Sequence, residues 1–166
     1  MPEKKTVKRA KQDKREGKSA STQAGEFVHE EMEHIREGKH GAQSAKQAIA
    51  IGLSKARRAG VDLPPPKKGK SSAMTRHKAE KDLEAGKKSA KKVSRTRSRA
   101  TTEALEREGS SAASKRALGR QAKSAARKRS AADRSAAAKK AARTKGAKKR
   151  SQAAKKAART RAKRSA

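Results

Sequence analysis

Apolar positions along this chain are sparse, and where they recur they do so at helical period. In residues 23–37, QAGEFVHEEMEHIRE, the side chains of Phe27, Val28, Met32 and Ile35 fall on one helical face. Ser21 or Thr22 can cap the start, and Gly38 follows as a stop. Residues 45–59, AKQAIAIGLSKARRA, carry a second stripe of Ala45, Ala48, Ile49, Gly52, Leu53 and Ala56. Ser44 and Gln47 have the spacing of a capping box, in which two side chains satisfy two orphan amides. Arg57 and Arg58 sit in the last turn, where the helix dipole favours cations, and Gly60 ends the run. The short loop GKHGAQS suits an αα-hairpin, with Gly52 on the buried face to let the helices approach closely. The pattern therefore predicts a helical hairpin over 21–60, with Phe27, Val28, Met32, Ile35, Ile49 and Leu53 as its core or as an interface.

Elsewhere the signal is weaker. Residues 2–16 form a marginal helix, polar all round apart from Val7 and Ala10. VDLPPPKKGKSS (61–72) reads as a linker with a polyproline spacer. HKAEKDLEAGKK (77–88) predicts a short helix, VSRTRSRA (93–100) is expected to stay open, and Ala100–Glu108 predicts another short helix. The tripeptide Arg-Glu-Gly occurs at 15–17, 36–38 and 107–109, each time before a hydroxyl and an Ala-rich run. The third copy has Ala and one Leu where the second has Ile, so it is expected to pack poorly alone. The octet AAKKAART occurs at 137–144 and again at 153–160. As a helix it puts Ala on one side and Lys139, Lys140 and Arg143 on the other.

Composition changes this picture. Of 166 residues, Phe27 is the one aromatic, there is no cysteine, and Ala supplies most of the apolar count. Burial of Ala gains little, because the gain scales with apolar area, whereas ordering each residue costs about 1–2 kcal/mol of backbone entropy. High net charge with low hydrophobicity is the signature of disorder. The expected fold class is accordingly mostly α and largely disordered: a short helical hairpin plus a long basic Ala/Lys/Arg-rich tail, disordered or conditionally helical. The expected organisation is a polar basic segment 1–20, the hairpin 21–60, a Pro/Lys linker 61–78, short helices and a Ser/Arg-rich segment 79–109, and a basic low-complexity tail 110–166.

Charge points to partners. The net charge is +33, and it is graded, with +5 over 1–66, +8 over 67–109 and +20 over 110–166. After Glu108 the remaining carboxylate side chain is Asp133. Such a tail implies a polyanion, most simply nucleic acid and double-stranded DNA in particular, with phosphates about every 1.7 Å of duplex axis. Lys139, Lys140, Arg143, Lys148, Lys149, Arg150, Lys155, Lys156, Arg159, Arg161, Lys163 and Arg164 are the expected contacts. Phosphate contacts position and compact DNA without reading its sequence. The near-absence of aromatics excludes base stacking, and an Ala face offers nothing to insert into a membrane. No signal core, transit peptide or membrane-spanning run is visible, which points to a cytoplasmic, nucleoid-associated protein.

Chemistry is scarce. HEEMEH (29–34) invites a metal reading, but five residues turn about 500°, so the rings of His29 and His34 point about 140° apart. Its acids are better matched to Lys55, Arg57 or Arg58 on the neighbouring helix. His40 and His77 have no evident role, no cofactor or metal is called for, and no nucleophile–base pairing marks an enzyme. Two other functions fit the same charges: an RNA- or ribosome-associated chaperone, and a protein-interaction module with a solubilising tail. On any of these readings, residues 21–60 are a candidate surface for a protein partner or a second copy of the chain.

Two stretches resemble known families. SAAAKKAARTKGAKKR and its surroundings, about 110–166, resemble the tails of linker histones and bacterial histone H1-like proteins, though without a Lys-Pro pattern or a winged-helix domain. Residues 21–66, from STQAGEFVHEE to VDLPPP, resemble a family of small uncharacterised bacterial proteins that pair such a helical segment with a basic tail. Together the resemblances imply a bacterial nucleoid-associated protein that compacts DNA.

Overall fold

The computed structural model describes residues 2–88 and 94–165. Among these, seven α-helices and one 3₁₀ turn follow in order: α1 (Lys4–Arg15), α2 (Ala20–Arg36), α3 (Ala45–Arg58), α4 (Ala73–Lys87), α5 (Arg95–Glu106), the turn Ser110–Ala113, α6 (Lys115–Arg127) and α7 (Ala131–Ser165). The chain divides into two units, Met1–Gln121 and Ala122–Ala166.

The first unit is built on the predicted hairpin. Ala24 and Phe27 meet Ala56, while Met32 and Ile35 meet Ala48, so α2 and α3 run antiparallel. Between these clusters the helices nearly touch. A Cβ built on Gly52 would lie 2.7 Å from the Val28 Cα, closer than real side chains allow. Phe27 and Ile35 are fully buried and Met32 is buried, while Val28, Ile49 and Leu53 are half-buried against the same clusters.

The rest of this unit covers what two helices leave open. Val7 and Ala10 of α1 pack beside Phe27, and α1 lies along α2. The linker starts pinned to α3, with Val61 buried and Arg57 Nε donating to the Leu63 carbonyl at 3.0 Å. Farther along, α4 packs on α3 and Arg58 reaches Asp82 at 2.7 Å. The third Arg-Glu-Gly copy does not stand alone either. The Gly109 carbonyl accepts from the Ala42 amide at 3.2 Å, and Ala112 and Ala113 bury themselves against Met32 and Ile35.

Local signals explain the boundaries. At the ends of α1, α2 and α3 the amides of Lys18, Lys39 and Val61 reach back to the carbonyls of Asp13, His34 and Ala56, the six-to-one bond of a Schellman stop. Ser44 caps α3 as expected, accepting from the Gln47 amide at 3.2 Å. The Gln47 side chain, however, accepts from Gln43 rather than from Ser44, so the box closes one residue early.

The expectation of a largely disordered chain is overturned. Residues 95–100, expected to stay open, are the start of α5, and the tail is helical through α6 and α7; Val93 lies outside the described residues. Two physical reasons account for the difference. In the first unit, small Ala and Gly side chains let helices come close, so contact compensates for missing bulk. In the tail, Ala, Arg, Lys and Gln are strong helix formers along the whole run, whereas like-charge pairs at i,i+4 cost only about 0.2–0.5 kcal/mol each.

If the α2–α3 crossing depends on close approach, Gly52→Ala will force backbone apart and destabilise the full chain by about 1–3 kcal/mol, read as a lower urea midpoint.

Candidate nucleic-acid interface

The tail helix begins where its sequence says it should. Ser130 Oγ accepts from the Asp133 amide at 3.0 Å, and Asp133 sits in the first turn, where the helix dipole favours an acid. Ser114 does the same for α6, accepting from the Ala117 amide at 3.1 Å. At Gly146 the backbone leaves helical geometry, with φ 67° and ψ 165°, so α7 is two helical stretches meeting at a kink.

The two octets behave alike. Thr144 Oγ1 donates to the Lys140 carbonyl at 3.0 Å, and Thr160 Oγ1 donates to the Lys156 carbonyl at 3.0 Å. Each octet thus lies in helix with its hydroxyl turned back on the backbone. A sixteen-residue repeat in one unbroken helix would rotate the second octet by about 160° from the first. The kink uncouples those two phases.

Lys139, Lys140, Arg143, Lys148, Lys149, Arg150, Lys155, Lys156, Arg159, Arg161 and Lys163 are all exposed; the side chain of Arg164 lies outside the described residues. Beyond Gly146, Lys148, Lys149, Lys155, Lys156, Arg159 and Lys163 share an arc of about 120° at helical spacing. Arg150 and Arg161 fall elsewhere around the axis. Residues 131–165 carry fourteen Lys and Arg against the single acid Asp133. One carboxylate cannot neutralise that many cations, so the stretch keeps a large net positive charge.

In the first unit, by contrast, many acids have a basic partner close by. Arg9 meets Glu26 at 2.8 Å, Lys18 bridges Asp13 and Glu16, and Lys39 meets Glu37 at 2.9 Å. Lys55 meets the fully buried Glu31 at 2.5 Å, as the sequence led one to expect, whereas Arg57 and Arg58 go to the linker and to α4. His34 hydrogen-bonds Glu3 at 3.0 Å, and that bond, with Lys39 close by, holds the Glu3 carboxyl below its ordinary value.

His29 and His34 diverge: His29 is exposed and lies 3.3 Å from Glu33. The structure instead brings His34 to His40, with ring centroids 6.1 Å apart and edge to face. Two trios, Glu31–His34–His40 and Glu3–Glu30–His34, each gather their donor atoms within 4.8 Å. Sequence spacing did not reveal His40, because it lies on the loop and its place depends on the Schellman stop that folds that loop back.

Residues 4–68 match a family of unknown function, DUF6496, so α1, α2, α3 and the first part of the linker are similar to that family. This similarity starts earlier than the resemblance read at 21–66, because it takes in α1, and it does not reach the tail. No curated protein and no solved structure matches the chain. The likeness of the tail to histone H1-like tails therefore rests on composition. Among the described residues no helix is long and apolar enough to cross a membrane.

Gly146→Ala removes the residue that tolerates the kink and adds the strongest helix former. It is expected to deepen the 222 nm ellipticity of the full chain, and an unchanged spectrum would show that the break is set elsewhere.

Proposed function

We propose that this protein binds nucleic acid without sequence preference, and double-stranded DNA above all, through phosphate contacts of its C-terminal tail. The observation that carries the reading is the exposed helical stretch 131–165, with fourteen cations and one acid. Preformed helix supports it, because less backbone ordering is left to oppose binding. Helical spacing sets Lys and Arg in arcs that can follow a groove rim or bridge neighbouring duplexes, which is how such a tail compacts DNA. The internally paired acids of the first unit support it too, since a carboxylate held by a neighbouring cation competes poorly for the tail. Nucleoid association in a bacterial cytoplasm follows as the setting of that activity.

The test is a salt titration of binding to random-sequence duplex, comparing the full chain with a version ending at Ser130. With about ten phosphates engaged, log affinity falls against log salt with a slope near −9, and removal of α7 collapses both affinity and slope. Replacing Lys139, Lys140, Lys148, Lys149, Lys155 and Lys156 by Gln lowers the slope by about 5. Equal binding by the full and shortened chains would sink the reading. Tighter binding to structured RNA at matched salt would move it to an RNA chaperone.

A further inference from the structure

Away from the tail, the densest group of chemistry-bearing side chains lies where the α2–α3 loop folds back on α2. Glu31 is fully buried, and its two oxygens differ. Oε2 takes Lys55 Nζ at 2.5 Å, whereas Oε1 is buried without a hydrogen-bond partner. His40 Nε2 is 3.3 Å from that Oε1.

The other nitrogen of His40 decides what Nε2 carries. Nδ1 lies 3.0 Å from the Gly41 carbonyl, which only accepts, so Nδ1 bears the proton. In the neutral ring Nε2 is then a lone pair, and it faces a carboxylate oxygen in a buried place. Two acceptors so placed repel unless a cation lies between them. A second proton on Nε2 would make the contact an ion pair, but one without hydrogen-bond geometry, so Oε1 would still lack a donor. Zinc bonds of about 2.0–2.2 Å to N and O, at tetrahedral angles, set neighbouring donors about 3.3–3.5 Å apart, which is the separation found here.

We propose that Glu31, His34 and His40 form a binding site for a single zinc ion, with a fourth position left to water. One nitrogen of His34, one turn along α2 from Glu31, completes the trio. Two imidazoles and one carboxylate suit zinc better than calcium or magnesium, which take oxygen ligands. The supports around the donors fit the same reading. Lys55 holds the outer oxygen of Glu31 and the Gly41 carbonyl fixes the tautomer of His40, as second partners of metal ligands do. The neighbouring trio Glu3–Glu30–His34 has one imidazole, and its Glu3 is half-exposed and already engaged by His34 and Lys39. A bound zinc ties the loop to α2, whatever the tail binds.

Calorimetric titration of zinc into the full chain is expected to show one equivalent, with cobalt giving visible bands of a nitrogen- and oxygen-ligated tetrahedral ion. His40→Ala, a loop substitution checked for helicity by circular dichroism, should weaken binding by at least about tenfold. Glu3→Gln, which removes a carboxylate from the neighbouring trio, should weaken it less than His40→Ala does. In the unsubstituted chain, imidazole ¹⁵N resonances of His34 and His40 should shift on zinc addition while those of His29 and His77 stay. That reading holds even if a substitution unfolds the protein. No zinc uptake, uptake indifferent to His40→Ala, or uptake lost in Glu3→Gln and kept in His40→Ala would each overturn the site.

Discussion

The first unit depends on the close crossing of α2 and α3 at Gly52 and Val28. A chain with one aromatic residue and few branched aliphatics cannot fill a wide gap between helices. It must close the gap instead. Gly52 removes the side chain that would hold the backbones apart, and Ala24, Ala48 and Ala56 line the rest of the seam. Dispersion falls steeply with separation, so small side chains in contact recover part of what large ones would supply. Every later addition assumes this spacing. Ala112 and Ala113 pack on Met32 and Ile35 toward one end of the seam, and α1 reaches Phe27 toward the other.

Helix ends carry a second share of the specification. Ser44, Ser72, Ser94, Ser114 and Ser130 each accept from the amide three residues on, and so start α3 through α7. Each satisfies an otherwise orphan donor, worth typically about 1 kcal/mol. With little apolar area to set boundaries, these polar contacts decide where one helix stops and the next begins. The Arg-Glu-Gly repeat belongs to the same grammar. In its first two copies glycine makes a left-handed stop, with φ 69° at Gly17 and 74° at Gly38. In the third, Gly109 stays at φ −78° and presents its carbonyl to Ala42. The same tripeptide therefore ends two helices and docks a third segment.

This explains what was legible in the sequence. The hairpin was, because Phe27, Met32, Ile35 and Ala48 recur at helical period and Gly38 and Gly60 bracket them. The exposure of the tail cations was, because a run of Lys and Arg with one acid has nowhere to bury. The order of the tail was not, although Ser130-Ala-Ala-Asp133 is a helix start written plainly. Net charge weighed against it, yet charge repulsion is small per pair and helix propensity accumulates. Nor was the place of α1, since Val7 and Ala10 look too few to dock a helix until Phe27 is found uncovered beside them. His40 was invisible for a different reason. Its neighbours Glu31 and His34 are nine and six residues away, and loop geometry rather than period brings them together.

The distribution of carboxylates links fold to function. In the first unit acids pair with nearby bases, and Glu31 does so from a fully buried position with Lys55. A carboxylate that is buried and paired is fixed: moving it would strand one charge in a low-dielectric place, so it cannot swing away to screen cations elsewhere on the chain. The tail has the single acid Asp133 against fourteen cations, and its helix persists on propensity instead. The same shortage that makes the tail self-repelling leaves most of its charge unneutralised. Under the proposed function, a bound polyanion would relieve repulsion within the helix as well as add contacts, so affinity and helix stability would rise together. A tail with interspersed acids would be an equally good helix, and on the proposed reading a much poorer ligand for DNA.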